Sequence, residues 1–449
     1  MPAMVGLAPL VRISWAIVPL ATIAQGFPAC HAAGERQVVQ LPAGAALLAP
    51  PDLYVAADGS DTHSGRVPER PLRTLGAAAA RAGAGTTVHV GPGTYHEKLV
   101  TRSGGSPGRP LEFVGQGAVV DGSRLPGPPE RDQNVGVVEL RHPHVRFAGF
   151  TVRNAGNTGI VLGADHLTVE DCEVAYTRRH AISTDTGHQV AAGGRIIRHV
   201  ALRANRIHDA VLAGNGYGQA ISLIADEFEI AGNELYANRD IAIDVWLGAR
   251  HGAVRDNHIH DNAGQTAIYV DGAEFVRIHG NRIHHNKHGI GVSSEDGRYA
   301  TRHVWIHDNL VYDNAGHACF IWDRDVGAQD VLFAHNTLVR NGLAFRFAGR
   351  DNTARVISNL AAASGAPPES AGSGTAATFA GNVWLAAPVG FEDAERGDFR
   401  LTASSPAIDR GAPVTHPADD LGRRIDLSRD HAGRDRTADG RPDAGALER

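Results

Sequence analysis

Asn205-Arg206-Ile207-His208-Asp209, Asn233-Glu234-Leu235-Tyr236-Ala237, Asn257-His258-Ile259-His260-Asp261, Asn281-Arg282-Ile283-His284-His285, Asn309-Leu310-Val311-Tyr312-Asp313 and Asn336-Thr337-Leu338-Val339-Arg340 are variants of one template. Subtracting their numbers spaces the leading asparagines 28, 24, 24, 28 and 27 residues apart, and Asn359 and Asn382 continue the series at 23 and 23. Cys172 and Phe150 fall at the same place in earlier turns. A period of this length marks a repeat architecture. Each repeat carries a second short strand, as in Ala220-Ile221-Ser222-Leu223, Ala242-Ile243-Asp244-Val245 and Ala267-Ile268-Tyr269-Val270, where apolar residues alternate with small or polar ones. That alternation is the period of a half-buried strand. A third strand precedes each asparagine, as in Phe275-Val276-Arg277-Ile278-His279. Three strands per turn with no amphipathic helix between them describe an all-β, single-stranded parallel β-helix, a solenoid whose turns stack strand on strand. Asparagine suits its corners because it tolerates the left-handed region and its amide can bond to the copies above and below.

The bulk composition agrees. A chain of 449 residues with 43% hydrophobic residues, 53 glycines and 20% charged residues can bury a large core and has too much glycine for a helical bundle. A net charge of -6 gives no support for nucleic-acid binding, which needs a basic face. Arg12 followed by an apolar stretch over 13–27, interrupted by Pro19, and small residues at Ala29, Ala32 and Ala33 predict a signal peptide over 1–33, hence a secreted or periplasmic protein. Phe27-Pro28-Ala29-Cys30 is a poor lipoprotein box, and no later segment reads as a membrane span. A linker over 34–50, the β-helix over 51–396 and a closing segment over 397–449 complete the expected organisation. The alanine-rich stretch 74–81 is expected to form an N-terminal capping helix, the segment 397–449 to close the other end, and 364–378 to be a loop. Cys172 and Cys319 fall five turns apart, roughly 24 Å at a strand spacing near 4.8 Å, and are expected as buried free thiols.

Three further stretches point to a family. Asp52-Leu53-Tyr54-Val55-Ala56-Ala57-Asp58-Gly59-Ser60-Asp61, Pro71-Leu72-Arg73-Thr74-Leu75-Gly76-Ala77-Ala78 and Val88-His89-Val90-Gly91-Pro92-Gly93-Thr94-Tyr95 resemble the opening of secreted right-handed β-helix proteins of the pectate lyase superfamily. Asp398-Phe399-Arg400-Leu401, Ser405-Pro406-Ala407-Ile408-Asp409 and Asp443-Ala444-Gly445-Ala446 resemble the closing segment of the same group. The resemblance implies a right-handed coil and export. It constrains the reaction weakly, because one fold hosts many chemistries.

Aligned on their first apolar residue, the second strands present outward, one and three positions on, Ser183 and Asp185, Ser222 and Ile224, Asp244 and Trp246, Tyr269 and Asp271, Gly291 and Ser293, and Ile321 and Asp323. At the preceding corner fall Arg179, Asp240, Gln265, Lys287 and His317. Acids flanked by aromatics and bases on one lateral face suit a groove for an extended sugar chain, so the expected partner is a polysaccharide and the expected state a monomer. The favoured reaction is β-elimination on a uronic-acid polymer, in which the carboxylate is neutralised by Ca²⁺ or arginine and a base removes the α proton. Lys287 or His288 would be the base, Asp244, Asp271 and Asp323 catalytic or cation-binding, with Asp244 and Asp271 as the Ca²⁺ ligands. Trp246, Tyr269, Arg179, His288, His317 and Asp185 would contact substrate. Lysine bases beside acidic calcium sites are what the resemblance implies. In the runner-up reaction, glycoside hydrolysis, two of the aspartates act as acid and base at the separations that adjacent or alternate turns allow. No Asp-Pro-His-Asp segment occurs, which argues against a C5-epimerase. The ladder His208, Tyr236, His260, His284, Tyr312 admits a third alternative, a noncatalytic carbohydrate- or metal-binding β-helix.

Overall fold

In the computed structural model, residues 52–127, 135–184, 195–213, 218–324, 326–365, 374–438 and 440–449 are described. The expected signal peptide and linker lie outside them. Alternating apolar residues produce strands whose neighbours come from the preceding and following turns. Thirteen strands from Leu53–Val55 to Thr375–Ala380 form one sheet, ten from Leu99–Val100 to Leu343–Phe347 a second, and twelve from Gly93–Tyr95 to Val383–Leu385 a third. The pairings within these sheets are parallel and in register, so like residues stack. Ile221, Ile243, Ile268, Ile290 and Cys319 are consecutive partners, and all are fully buried. No helix among the described residues is long and apolar enough to cross a membrane.

The asparagine ladder is continuous. Asn281 donates from Nδ2 to Asn309 Oδ1 at 2.9 Å, while its own Oδ1 accepts from the backbone N–H and Nδ2 of Asn257 at 3.0 and 2.9 Å. Cys172 heads it, its N–H donating to Asn205 Oδ1 at 3.1 Å. The reason given for asparagine needs correction. The left-handed residue is the one before it, Asp256 (φ 55°), Gly280 (φ 67°) or Asp308 (φ 55°), and the asparagine is the buried residue that ties the next turn down. Five residues on, a second ladder runs through Asn238, Asn262, Asn286, Asn314 and Asn341 and ends on Ser364. It too follows left-handed residues, Ala237, Asp261, His285, Asp313 and Arg340.

A helix spans Leu75–Arg81, with Thr74 Oγ1 accepting from the N–H of Ala77, and buries Leu75, Ala78 and Ala79. Of the expected loop over 364–378, residues 366–373 lie outside the described set, and Thr375–Ala380 is a strand instead, because it pairs along its length with Asn352–Ile357. The closing segment also departs from expectation, since it runs back along the flank. Leu310, Val339 and Leu360, apolar and turned away from the core, pack under Phe399, Leu401, Ala446 and Leu447. Arg436, 2% exposed, pairs with Asp308 and with Glu448, and Asp420 reaches His251 at 2.7 Å. The two cysteines are free and buried as expected, and burial pushes the Cys172 thiol up to about 12.

Candidate functional site

Register in the ten-stranded sheet decides which side chains share a face. Asp244, Tyr269, Gly291, Phe320 and Arg346 are consecutive partners, as are Trp246, Asp271, Ser293 and Trp322. The last turn is therefore shifted by one from the sequence alignment. Ile321 is buried in the core, and Asp323 pairs with Ser294 and accepts from the backbone N–H of Arg350. The alignment started on Phe320, whereas the small inward residue that stacks on Ile290 is Cys319.

Beside this face opens a groove of about 570 Å³. Its walls include Asp240 and Gln265 from the corners, Tyr269, His288 and His317 from the expected set, and Glu295, Phe320, Trp322 and Arg346, which the sequence reading missed. Extending the alignment one turn, with Phe345 stacked on Cys319, would have found Arg346. Glu295 follows the strand Ile290–Ser294 and belongs to no periodic position.

The basic wall is specific in its protonation. The backbone N–H of His317 donates to His288 Nδ1 at 3.0 Å, and Arg346 Nη1 lies 3.2 Å from His317 Nε2. A guanidinium only donates, so His317 Nε2 is an acceptor and the ring is neutral. Burial and the Arg346 charge lower the His317 pKa, while burial, then His317, Lys287 and Arg346, bring His288 down to about 4. The two rings stack at 4.8 Å with Phe320 edge-on to both. Arg346 is exposed, and no carboxylate among the described residues pairs with it.

The acidic side is layered. Tyr269 donates to Glu295 Oε1 at 2.6 Å and accepts from Trp322 Nε1 at 2.8 Å. Asp244, 4% exposed, leaves Oδ1 buried and unpartnered, and burial with the charges of Asp271, Glu295 and Asp240 raises its pKa well above the usual range. Burial also lifts Asp271 to about 6, although its Oδ1 accepts from the Glu295 N–H at 2.7 Å. Neither residue is on the groove wall. As a Ca²⁺ site the pair fits poorly. The ion takes six to eight oxygens, and no third His, Cys, Asp or Glu among the described residues brings a ligand atom together with theirs within 4.8 Å.

The raised Asp244 gives a prediction with a definite sign. A carboxyl whose folded pKa exceeds its unfolded value opposes folding once the pH rises above 3.8, and increasingly up to the folded value. Asp244→Asn is therefore expected to raise Tm by a few degrees at pH 7, with the gain vanishing toward pH 4. A lower Tm at pH 7 would mean that the charge is held by a favourable contact.

The remaining expected residues lie elsewhere. Lys287 is exposed and absent from the groove wall, its backbone carbonyl accepting from Gly316. Trp246 donates to Ser222 Oγ at 3.1 Å and packs with Ile224, Leu247 and Tyr299 in a separate cluster. Arg179 bonds through its backbone to Asn157 and Val211, outside the groove wall. Asp185 lies outside the described residues.

Comparison with known proteins accords with this architecture. The family described as "Right handed beta helix region" matches residues 197–361. The protein YwoF of Bacillus subtilis (strain 168) is 28% identical over 340 residues, 66% of this chain and 70% of YwoF. The pectate lyase PEL9 of Emericella nidulans is 35% identical over 83 residues, 17% of this chain and 20% of that protein. Among solved structures, pectate lyase Pel9A superposes with a TM-score of 0.58 at 15% identity, covering 89% of this chain and 96% of Pel9A. The chain is a right-handed parallel β-helix protein with a pectate-lyase-like fold.

Proposed function

We propose that the chain is an exported polysaccharide lyase that cleaves a uronic-acid polymer by β-elimination in this groove. The observation that carries the reading is Arg346, an exposed guanidinium with no carboxylate partner among the described residues, in contact with the neutral His317. The stretch similar to PEL9 points in the same direction.

Elimination from a uronate needs a cation on the carboxylate, so that charge developing as the α proton leaves is stabilised, and an unprotonated base beside it. When a substrate carboxylate takes up the Arg346 donors, His317 Nε2 is released from the guanidinium and is free to accept that proton. His288, bonded through Nδ1 to the His317 backbone, holds the ring in place by stacking. Phe320 and Trp322 give flat apolar surface for sugar rings, and Asp240, raised by burial, can protonate the departing oxygen. This moves the base from Lys287 to His317 and the cation role from Ca²⁺ to Arg346.

The test is incubation of the purified protein with pectic, alginate-type and neutral polysaccharides, following the ultraviolet absorbance of unsaturated uronates and, in parallel, reducing ends. Absorbance with acidic polymers only is the expected result. Reducing ends without absorbance would transfer the site to glycoside hydrolysis, a reading favoured by the raised carboxyl of Asp240 on the groove wall. The pH profile is a second check. A base whose pKa lies below 6.5 stays unprotonated through mildly acidic pH, so kcat/KM is expected to hold from pH 7 down past 6.5 and to fall only beneath it. An acid limb centred above 6.5 would exclude His317 as the base.

A further inference from the structure

Away from the groove, on the twelve-stranded sheet, three consecutive turns bring imidazoles together. Glu234, His258 and His260 each offer a ligand atom within 4.8 Å of the others, the one such group among the described residues. His284, on the next strand, stands beside this group, its Nε2 lying 2.8 Å from His258 Nε2. We propose that Glu234, His258 and His260 form a binding site for a divalent transition-metal ion of the Zn²⁺ class.

The donor atoms of these three residues lie within 4.8 Å of one another. Asp261 Oδ2 lies 2.8 Å from His260 Nδ1, which directs His260 Nε2 toward Glu234 Oε1, 3.5 Å away. A carboxylate on the far nitrogen is the usual means of orienting a metal-binding histidine. His284 Nδ1 faces His285 Nδ1 at 2.7 Å, and its Nε2 meets His258 Nε2. His260 Nε2 is buried and has no hydrogen-bond partner among the described residues. Ligand atoms on a tetrahedral zinc ion stand about 3.4 Å apart, given bonds of about 2.0–2.1 Å. The separation of 3.5 Å between His260 Nε2 and Glu234 Oε1 is close to that value. Two imidazoles and one carboxylate, with the fourth position open to solvent, suit Zn²⁺ rather than Ca²⁺ or Mg²⁺, which take oxygen ligands. The side chains are only partly buried, which leaves an approach from solvent. The ion would clip neighbouring turns together.

The test is calorimetric titration of the metal-stripped full chain with Zn²⁺ and, separately, Ca²⁺. The expected result is one Zn²⁺ per chain, no Ca²⁺ heat from this site, and a Zn²⁺-dependent rise in Tm, since a ligand that binds the folded state stabilises it. His258→Gln with His260→Gln is expected to weaken Zn²⁺ binding by at least ~100-fold, as loss of two ligands requires. His144→Gln with His166→Gln, which removes another stacked histidine pair, should leave it unchanged. If the first pair of substitutions prevents folding, Glu234→Gln, on a partly exposed carboxylate, reports on the same site through the tetrahedral absorption of bound Co²⁺. Absence of saturable one-site binding, or equal binding in the His258/His260 variant, would overturn the assignment.

Discussion

Arg346→Ala is expected to lower kcat/KM on a uronate-containing polymer by about 10²–10³-fold, the scale of removing one charge-stabilising donor from a transition state. The side chain is exposed and its one polar contact among the described residues is to His317, so the fold should survive and Tm should change little. Arg346→Lys keeps the charge but loses the planar fork that matches a carboxylate, and is expected to recover activity only in part. Initial rates of unsaturated-product absorbance, with circular dichroism as the control for folding, measure both variants. An alanine variant as fast as the wild type would remove the carboxylate subsite, and with it the lyase reading. Reducing ends that persist while absorbance was never present would instead leave a hydrolase acting on neutral sugar.

Asn281→Ala is expected to be the most damaging substitution for stability. The Asn281 amide donates to Val254 O at 2.9 Å, His279 O at 3.1 Å and Asn309 Oδ1, and its oxygen accepts from the Asn257 N–H and Nδ2. Alanine leaves the Asn257 N–H without its partner and takes one bond each from Asn257 Nδ2 and Asn309 Oδ1, in a fully buried corner. At roughly 1–3 kcal/mol for each unsatisfied group, the loss is on the order of 3–5 kcal/mol. Chemical denaturation, with amide exchange at Asn257 as the local probe, should show a lower midpoint and loss of protection at that corner. A midpoint within error of the wild type would mean that water replaces the amide. Placing the same change at the ladder's end, Asn382→Ala, should cost less, because its side chain is only partly buried and joins to a turn on one side.

The asparagines were legible in the sequence because a solenoid repeats its environment. Every turn poses the same corner, so the same residue returns at Asn257, Asn281 and Asn309 and no contact map is needed to see it. The alternation in Ala242-Ile243-Asp244-Val245 was legible for the same reason, and so was the expectation that Asp244 and Tyr269 share a face. The helix at Leu75–Arg81 followed from the local propensity of its alanines. Sequence misassigned the left-handed role to asparagine, because Gly280 and Asp308 beside it are equally suited to positive φ and periodicity does not distinguish neighbours.

The groove was legible only in part. Tyr269, His288 and His317 lie on its wall, and their strands were placed by the repeat. Phe320 and Trp322 were displaced by a one-residue slip, which exchanges inward and outward side chains in any strand. Only hydrogen-bonded register between Ile290 and Cys319 fixes that choice. Arg346 and Glu295 come from segments far apart in the chain, and the raised pKa of Asp244 depends on burial and on charges from other turns. The path of the closing segment was equally hidden, because Arg436 finds Asp308 and Glu448 through contacts that carry no period. By itself the sequence determined a three-strand parallel coil with its first asparagine ladder and most of its inward faces, since these repeat along the chain. Tertiary structure alone decided which charged groups meet, because charge–charge distances across turns depend on register and burial, and neither is written in the order of residues.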